Sequence, residues 1–403
     1  MQFLRFLEVI SVNYGVVAEF NPFHNGHKAF LDAVKSEGGT VSAVMSECFV
    51  QRGETASLRP GARTLCALKN GVDLVLAFPV TFAVSSAENF AFGGVSVLSS
   101  CGVFDALAFG SECGDSRLLE DCADALLQPG FDKALLSELK SGISYPAARQ
   151  NALSKKYGDV FSPVLSSPND TLAVEYIKAA KKLSFKPEFK AVKRIGALHD
   201  SLGGEGDIRS ASEIRTLFGA EFSRFVPENV FEIYESEVRE NKAPVDFSKL
   251  EGAMLYALRN MTQNDFKCLP DVSEGLDGRI YAAVREGKSL KEILESSKTK
   301  RYTYSRLKRI LLCAFLGISA DMKKAGVPYI RVLGFTKKGE ELLREMKRKA
   351  SLPVVTNYGD IKKLGEKERQ YYELESRVRD IFSLAEPVHD ICGTLMTDKI
   401  IKL

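Results

Sequence analysis

The sequence predicts an α/β fold in which a parallel sheet covered by helices is followed by a mainly helical C-terminal domain. Short, continuous apolar stretches alternate with helical periods through the first half of the 403-residue chain. Apolar strands of this kind are typical of a parallel sheet with helices on both faces. Beyond residue 221 helical periods dominate. We therefore predict two domains, residues 12–220 and residues 221–403.

The predicted elements bring several loops to one edge of the sheet. The predicted strands are residues 15–20, 41–45, 73–78, 105–109 and 189–195. The predicted helices are residues 27–36, 62–70, 87–100, 118–127, 131–140, 171–183 and 210–218, then 250–260, 278–284, 290–294, 305–316, 339–348 and 367–382. Because ligands of such sheets bind outside the carboxyl ends of the strands, the turn after residue 20 and the loops after residues 109 and 195 are expected there.

Composition excludes some classes of protein and favours others. Net charge is +3, so the chain as a whole is not a polybasic binder, but residues 1–218 carry a balance of −2 and residues 219–403 a balance of +5. The second half is therefore the expected side for an anionic partner. Eight scattered cysteines without a Cys-x-x-Cys pair indicate free thiols in a reducing cytoplasm. No apolar run reaches the roughly 18 residues that a membrane helix needs.

The most informative segment is residues 14–27, an apolar strand followed by a turn and the sequence His24-Asn25-Gly26-His27. The second histidine opens the amphipathic helix that follows. The N-terminus of a helix presents backbone N–H groups that favour an anion, and two imidazoles there can donate to phosphate oxygens. The alternative is a metal pair, which would need further ligands; the other histidines, His199 and His389, are distant in sequence.

Three further segments of the first half are candidate nucleotide contacts. Arg194 ends a predicted strand, and Ser210, Ser212 and Arg215 open a helix, so that hydroxyls and a guanidinium can together bind a phosphate. Gly110 follows a strand and leaves room for a ribose or base. Asn169 is either a nucleotide contact or a helix N-cap, and the cap is the better interpretation of this residue alone.

Basic residues elsewhere are candidate contacts for a substrate or for RNA. Arg52 and Arg63 follow the second predicted strand and face either a substrate anion or solvent. Residues 298–309 contain six basic residues, two tyrosines and no acidic residue. Basic side chains bind phosphates and aromatic rings stack on unpaired bases, although a solvated helix face is the common alternative for such a run.

Together these motifs resemble the tRNA(Met) cytidine acetate ligase family of the HIGH-motif nucleotidylyltransferase superfamily. The resemblance extends over nearly the whole chain. Its first-half segments are residues 15–28, Val50-Gln51-Arg52-Gly53-Glu54, Ala62-Arg63-Thr64, Gly71-Val72-Asp73-Leu74-Val75, Phe109-Gly110-Ser111-Glu112, Asn169, Lys193-Arg194-Ile195-Gly196 and Ser212-x-Ile214-Arg215. Its second-half segments are Thr299-Lys300-Arg301-Tyr302-Thr303, Pro328-Tyr329-Ile330-Arg331-Val332-Leu333-Gly334-Phe335 and Ala350-Ser351-Leu352-Pro353.

The resemblance implies a Rossmann-like nucleotidylyltransferase domain with a parallel sheet and a helical tRNA-binding domain. The implied ATP-binding residues are Gly15, Val16, Val17, Ala18, Glu19, Phe20, Asn21, Pro22, Phe23, His24, Asn25, Gly26, His27, Lys28, Gly110, Asn169 and Arg194, to which the phosphate argument adds Ser212. The implied reaction activates acetate with ATP as acetyl-adenylate. The acetyl group then passes to the wobble cytidine of elongator tRNA(Met), giving N4-acetylcytidine and AMP.

We assign the chemistry and the partners as follows. The predicted catalytic residues are His24, His27, Arg194 and Arg215, which hold charge that develops on the phosphates. The predicted substrate and tRNA contacts are Arg52, Arg63, Lys300, Arg301, Arg306 and Lys308. Mg²⁺ is expected with ATP, without a dedicated protein site. The alternatives are a small-molecule adenylyltransferase and a tRNA-binding protein with a vestigial nucleotide site.

Two positions depart from the family pattern. Glu47-Cys48 stands where relatives usually carry a glycine and a small or polar residue, and Pro60-Gly61 stands where they usually carry Lys-Trp or a similar pair. If that lysine assists activation in relatives, we expect either that Arg59 or Arg63 replaces it here or that the activity is altered.

Overall fold

The computed structural model describes residues 11–194, 209–273 and 275–403, apart from the side chain of residue 220. Its framework is an eight-stranded sheet with a two-stranded hairpin beside it. The strands are β1 (Asn13–Ala18), β2 (Thr40–Ser46), β3 (Phe49–Val50), β4 (Glu54–Thr55), β5 (Leu74–Phe78), β6 (Ala106–Ser111), β7 (Glu188–Lys193), β8 (Ile330–Phe335), β9 (Val354–Val355) and β10 (Ile401–Lys402). The hairpin is formed by β3 and β4.

The sheet is mostly parallel, and its order reverses at β1. The order is β10-β8-β5-β2-β1-β6-β7, with β9 paired to β8. Strands β2 and β6 flank β1 and run parallel to it. The crevice at the carboxyl end of β1 is therefore the switch point at which α/β sheets bind ligands.

The sheet departs from the parallel arrangement at one pair of strands. Strand β8 pairs with β5 in the antiparallel direction, with Leu74 opposite Phe335 and Val75 opposite Gly334. Strands β8, β9 and β10 come from the second half of the chain, which is therefore not purely helical. By covering the edge of β5, β8 protects a fully buried strand from pairing with another chain. The predicted boundary at residues 220 and 221 stays a prediction, although the sheet extends across it.

Helices of the first half cover the sheet as predicted. They are α1 (Asn25–Lys35), α2 (Pro60–Lys69), α3 (Val80–Ala83), α4 (Ala87–Cys101), α5 (Ser116–Leu127), α6 (Phe131–Leu139), α7 (Tyr145–Tyr157), α8 (Ser162–Ser166), α9 (Pro168–Lys182) and α10 (Ala211–Thr216). Residues of α1 and α2 pack in a core on one face and residues of α4, α5 and α9 in a core on the other. The sequence interpretation missed α7, which buries only four residues, one of them Arg149, and so shows a weak apolar period. Residues 195–208, which include the end of a predicted strand and the loop after it, lie outside the described residues.

Eleven α-helices are described in the second half of the chain, and most of them pack around a third core. They are α11 (Glu228–Arg239), α12 (Glu251–Asn260), α13 (Gln263–Lys267), α14 (Leu276–Glu286), α15 (Leu290–Ser297), α16 (Tyr304–Leu316), α17 (Ala320–Lys324), α18 (Lys337–Lys349), α19 (Tyr358–Ile361), α20 (Glu366–Ser383) and α21 (Thr394–Thr397). This core also contains Phe49 and Val50 of β3 and Val80 of α3. The hairpin is therefore held between the sheet and the helices of the second half.

Two general features agree with the sequence interpretation. The eight cysteines are free thiols. Among the helices that the structure describes, none combines the length and the apolar character that crossing a membrane requires.

Gly339 determines how α18 approaches the sheet. A Cβ atom built at Gly339 would lie 1.8 Å from the carbonyl oxygen of Asp73, a backbone atom that cannot move without displacing β5. Thr336 holds the same junction, because its Oγ1 donates to Asp73 Oδ1 at 3.2 Å and its N–H to Asp73 O at 2.9 Å. Only glycine permits this contact.

We expect Gly339→Ala to lower the free energy of unfolding by about 1–3 kcal/mol, the usual cost of overpacking. Gly252→Ala in α12 is the matched control, because a Cβ there meets open space and alanine favours a helix over glycine by up to about 1 kcal/mol. Urea unfolding of both variants tests this. Equal stabilisation by both substitutions would show that α18 does not dock at Asp73.

Candidate active site

The turn between β1 and α1 lies at the carboxyl end of the central strand. Phe20 adopts a positive φ of 45°, and the Asn21–Pro22 peptide bond is cis. Helix α1 then begins at Asn25 with His24 as its N-cap. The predicted strand, turn and helix are all confirmed. The two histidines therefore stand at the N-terminus of a helix that faces the switch point of the sheet.

Each histidine uses one ring nitrogen to hold the turn. His24 Nδ1 accepts from the N–H of Gly26 at 3.1 Å and from that of His27 at 3.4 Å. His27 Nδ1 accepts from the N–H of His24 at 3.3 Å. A neutral imidazole has one acceptor nitrogen and one N–H donor, so Nε2 carries the proton in both rings. The turn thus prepares two neutral N–H donors beside each other.

Burial keeps both imidazoles neutral. It lowers the pKa of His24 to about 3, and the charges of Arg194 and Arg215 act in the same direction. Burial, followed by the effects of His24 and Arg194, lowers the pKa of His27 well below its usual value. The rings stack with centroids 3.7 Å apart, and Phe20 meets the His27 ring edge-on at 5.1 Å. Their positions are therefore set before any ligand binds.

Arg194 and Arg215, the two arginines predicted to be catalytic, lie near the two histidines. Their charges act on the imidazole of His24. Arg215 Nη1 donates to the carbonyl of Asn21 at 2.9 Å, and Nη2 donates to Ser212 Oγ at 3.4 Å. The backbone N–H of Arg194 donates to Ser111 O at 2.9 Å. The site thus combines two neutral donors with two cations, an arrangement suited to a polyphosphate.

A buried carboxylate that the sequence interpretation missed shapes the loop after β6. Asp170 is 1% exposed and accepts from the N–H of Glu112 at 2.9 Å and from that of Cys113 at 3.1 Å. Asn169 is not an N-cap, because it lies inside α9 and its amide donates to Glu112 Oε1 at 2.5 Å. The available signal for this carboxylate was an acidic residue in the first turn of a helix. The groups that donate hydrogen bonds to it lie 57–59 residues earlier in the chain.

Gly110 is the penultimate residue of β6, and the space beside its Cα atom is open. A Cβ atom there would come no nearer than 3.6 Å to a neighbour, the side chain of Arg194. The predicted nucleotide contact at Gly110 thus has free space next to a cation, although it stays a prediction.

Several of the residues predicted to bind the nucleotide have side chains in the core. Val16, Phe20 and Phe23 are at most 2% exposed. A Cβ atom at Gly15 would lie 2.9 Å from Leu98, so this glycine serves the packing of α4 on the sheet. These residues can therefore offer only backbone atoms to a ligand. The other nucleotide contacts predicted in residues 15–28 stay predictions.

The β3–β4 hairpin connects the histidine turn with α16. The N–H of Gln51 donates to Glu19 Oε1 at 2.6 Å, and Asn21 Oδ1 accepts from the N–H of Ser57 at 2.7 Å. Glu54 lies between two cations, with Oε1 2.6 Å from Lys308 Nζ and Oε2 3.9 Å from Arg215 Nη2. A predicted RNA contact and a predicted catalytic arginine therefore share one carboxylate.

The prediction that Arg63 contacts a substrate is wrong. Its side chain is fully buried. The guanidinium donates to the carbonyl of Leu58 at 3.2 Å, to that of Glu19 at 2.5 Å and to that of Glu47. Burial lowers its pKa to about 10, so it remains charged at neutral pH.

The guanidinium of Arg59 is engaged in ion pairs as well. It does not replace the lysine that relatives usually carry near this position. Its Nε lies 3.0 Å from Glu386 Oε1, and its Nη2 contacts Glu386 at 2.6 Å and Asp390 at 2.9 Å. The expectation that Arg59 or Arg63 takes over that role is therefore wrong.

The basic segment 298–309 is partly used inside the protein. Arg306 donates through Nε and Nη2 to the carbonyl of Asp271, at 3.0 and 2.7 Å, and Lys308 binds Glu54. Lys300 and Arg52 are exposed, and Arg301 is half-buried. Contact between an anionic partner and residues 300 and 301 stays a prediction.

Nothing in the described ranges forms a metal site. Among them, no three histidine, cysteine, aspartate or glutamate side chains are gathered as ligands. His389 is exposed, and His199 lies outside the described residues.

We expect the stability of the protein to fall as the pH drops below 6.5, because the unfolded chain then binds protons that buried His24 and His27 exclude. The slope for one such histidine is roughly 1.4 kcal/mol per pH unit. His24→Asn keeps an N-cap side chain and should flatten the curve of unfolding free energy between pH 6.5 and 4.5. His389→Asn is the exposed control. Parallel curves for wild type and His24→Asn would contradict a buried neutral His24.

Known proteins resemble this chain over nearly its whole length. The family model described as HIGH Nucleotidyl Transferase matches residues 12–392. A tRNA(Met) cytidine acetate ligase of Thermoanaerobacter sp. (strain X514) is 39% identical over 403 residues, covering 96% of this chain and 99% of the relative. The protein of the same name from Thermotoga maritima is 36% identical over 402 residues, covering 93% and 96%.

Solved structures match over the same length. The crystal structure of Thermotoga maritima TmcAL bound with alpha-thio ATP has a TM-score of 0.90 at 34% identity, covering 97% of this chain and 99% of that one. The apo form of the same protein gives a TM-score of 0.92. The chain therefore belongs to the HIGH nucleotidyl transferase family and, within it, to the family that contains the tRNA(Met) cytidine acetate ligases.

Proposed function

We propose that this protein is an ATP-dependent ligase that acetylates the wobble cytidine of elongator tRNA(Met) to N4-acetylcytidine. The observation that carries the proposal is the pair of neutral histidine donors at the start of α1, with Arg194 and Arg215 beside it. Relatives that match nearly the whole chain are named tRNA(Met) cytidine acetate ligases, and a similar solved structure contains alpha-thio ATP.

In the first step an acetate oxygen attacks the α-phosphorus of ATP, forming acetyl-adenylate as the bond to pyrophosphate breaks. Negative charge then grows on the bridging oxygen and on the leaving pyrophosphate. Nε2–H of His24 and His27 donates to these oxygens, and Arg194 and Arg215 supply positive charge. Because the rings are already held by the turn, little reorganisation is needed as the charge develops.

In the second step the exocyclic amine of the cytidine attacks the acyl carbon of the adenylate. The N–C bond forms, the bond to the phosphate oxygen breaks, and AMP leaves while the amine loses one proton. An unpaired anticodon base reaches such a site more readily than a base within a duplex. The products are N4-acetylcytidine in the tRNA and free AMP.

The proposed RNA surface includes exposed Arg52 on the hairpin, together with Lys300 and Arg301. The positive balance of the second half supports an electrostatic contact with phosphates. Because the hairpin contacts both α16 and the histidine turn, RNA bound there would lie next to the nucleotide. We further propose that the protein works in the cytoplasm and that Mg²⁺ accompanies the phosphates of ATP.

Product analysis separates this ligase from a small-molecule adenylyltransferase. The protein is incubated with ATP, labelled acetate and total tRNA, and the tRNA is digested to nucleosides. Labelled acetylcytidine with free AMP supports the ligase. AMP attached to the product, without acetylated RNA, would support the adenylyltransferase instead.

We expect His27→Ala to reduce acetate-dependent ATP–pyrophosphate exchange by at least about 10²-fold, as for other donors to a developing oxyanion. His389→Ala is the exposed control. Exchange at the wild-type rate in His27→Ala would refute the role of this histidine.

We expect Lys300→Glu combined with Arg301→Glu to spare ATP–pyrophosphate exchange and to block tRNA acetylation. The reversal removes two phosphate contacts and adds repulsion, while the nucleotide site is unchanged. Lys291→Glu, an exposed change in α15, serves as the control. Equal loss of both activities would mean that residues 300 and 301 have a structural role.

A further inference from the structure

The four residues of the phosphate site offer no acceptor for the proton that the cytidine amine loses during acetyl transfer. His24 and His27 cannot take it, because Nδ1 of each ring accepts a backbone N–H and Nε2 already carries a proton. Arg194 and Arg215 are cations with donors only. The acceptor must therefore be another group at the carboxyl edge of the sheet.

Glu19 is the first residue beyond the carboxyl end of β1, at the switch point of the sheet. Its side chain is half-buried, and Oε1 accepts the N–H of Gln51 in the β3–β4 hairpin at 2.6 Å. Its carbonyl accepts from Arg63 at 2.5 Å, so the main chain and the side chain are both held. Among the described residues, none donates a hydrogen bond to Oε2. One oxygen thus fixes the carboxylate, and the other is available to a substrate.

Glu19 lies between the nucleotide site and the hairpin. Arg215 marks the nucleotide side, because its charge acts on the carboxyl of Glu19 and on the imidazole of His24. Gln51 marks the other side, because it belongs to the hairpin that carries exposed Arg52, a part of the proposed RNA surface. An adenylate at the histidines and a base of RNA bound at the hairpin would therefore approach this carboxylate from two directions.

The surroundings of Glu19 suit a group that gains and loses a proton. Burial raises the pKa of its carboxyl above the ordinary value, while the hydrogen bond from Gln51 and the charges of nearby arginines act in the opposite direction. These arginines are Arg63 of α2, Arg215 of α10 and Arg52 of the hairpin. Tyr176 of α9 is also within electrostatic reach, and burial followed by the charge of Glu19 raises the pKa of its hydroxyl, so it stays neutral. A base transfers protons more effectively when its pKa lies nearer to the working pH.

Glu54, the carboxylate of the hairpin itself, is already paired. Its Oε1 lies 2.6 Å from Lys308 Nζ, and its Oε2 lies 3.9 Å from Arg215 Nη2. Both oxygens thus face cations, whereas Oε2 of Glu19 has no such partner at hydrogen-bond distance. Glu54 is therefore the matched control, because it carries the same charge in the same region.

We propose that Glu19 is the general base of the acetyl transfer and takes the amine proton of the cytidine on Oε2. This rests on the proposed function and supplies the residue that its second step needs. As the amine nitrogen bonds to the acyl carbon, one proton passes from that nitrogen to Glu19, and the bond between the acyl carbon and the phosphate oxygen of AMP breaks. The carboxyl then releases its proton to water, which restores the base.

The first test follows the transfer step alone. Enzyme in excess is mixed with synthetic acetyl-adenylate and tRNA, and acetylcytidine is measured over time. Glu19→Gln keeps an oxygen for the N–H of Gln51 but cannot take a proton, so transfer should slow about 10²- to 10⁴-fold, the range for a general base. ATP–pyrophosphate exchange releases no such proton and should fall at least about 10-fold less. Equal loss of both activities would overturn the proposal.

The second test is the pH dependence of the transfer rate, measured from about pH 5 to pH 8. In wild type the rate should fall as the pH drops through the pKa of Glu19, because only the carboxylate accepts a proton. Glu19→Asp should keep this fall at a lower overall rate, and Glu54→Gln should keep it as well. Glu19→Gln should lose it, which a purely structural role would not produce. The same pH dependence in Glu19→Gln as in wild type would contradict a base at this position.

The wild-type protein distinguishes failure of the base from failure of the proposed function. If wild type makes no acetylcytidine from acetyl-adenylate and tRNA, the ligase is rejected and the base with it. If wild type and Glu19→Gln make it at the same rate, the ligase stands and the base alone is rejected. Thermal unfolding of each variant establishes that the proteins compared are folded.

Discussion

The guanidinium of Arg63 is the interaction on which the rest of the site depends. It is fully buried and holds the carbonyls of Glu19, Glu47 and Leu58 together. These carbonyls belong to the end of β1, the end of β2 and the segment before α2. Since unpaired carbonyls at the carboxyl ends of buried strands would be costly, one planar group with five donors both satisfies them and fixes their spacing. The histidine turn and the ends of two central strands therefore share one support.

Local signals account for what the sequence could predict. The histidine turn follows from an apolar strand, Asn21–Pro22 and a helix period, all within about twenty residues, and the confirmed strands of the first half rest on signals of the same kind. Arg63 was misassigned because the sequence around an arginine does not show whether its side chain faces a ligand or, as here, a carbonyl 44 residues earlier. Arg59 was misassigned because its carboxylate partner lies 327 residues away. The antiparallel β8 was missed for the same reason, since pairing between distant strands leaves no local trace.

Glu54 indicates how the two halves of the chain work together. It contacts Lys308 on one side and Arg215 on the other. One carboxylate of the hairpin is therefore paired with a cation from each half of the chain. A phosphate that approaches either cation would compete with Glu54 for it. Nucleotide and RNA would then meet the same hairpin, whose position is fixed by hydrogen bonds from Gln51 and Ser57 to the histidine turn and its preceding strand.

The departure at Glu47 has a physical explanation in the partner that it meets. A carboxylate where relatives usually carry a glycine would be an unpaired buried charge, but Arg331 of β8 binds it. Removing one partner of such a pair leaves the other charge buried and uncompensated. Glu47 and Glu375 together hold Arg331. The departure at Glu47 is thus part of a buried charge network that joins the end of β2 to β8 and α20.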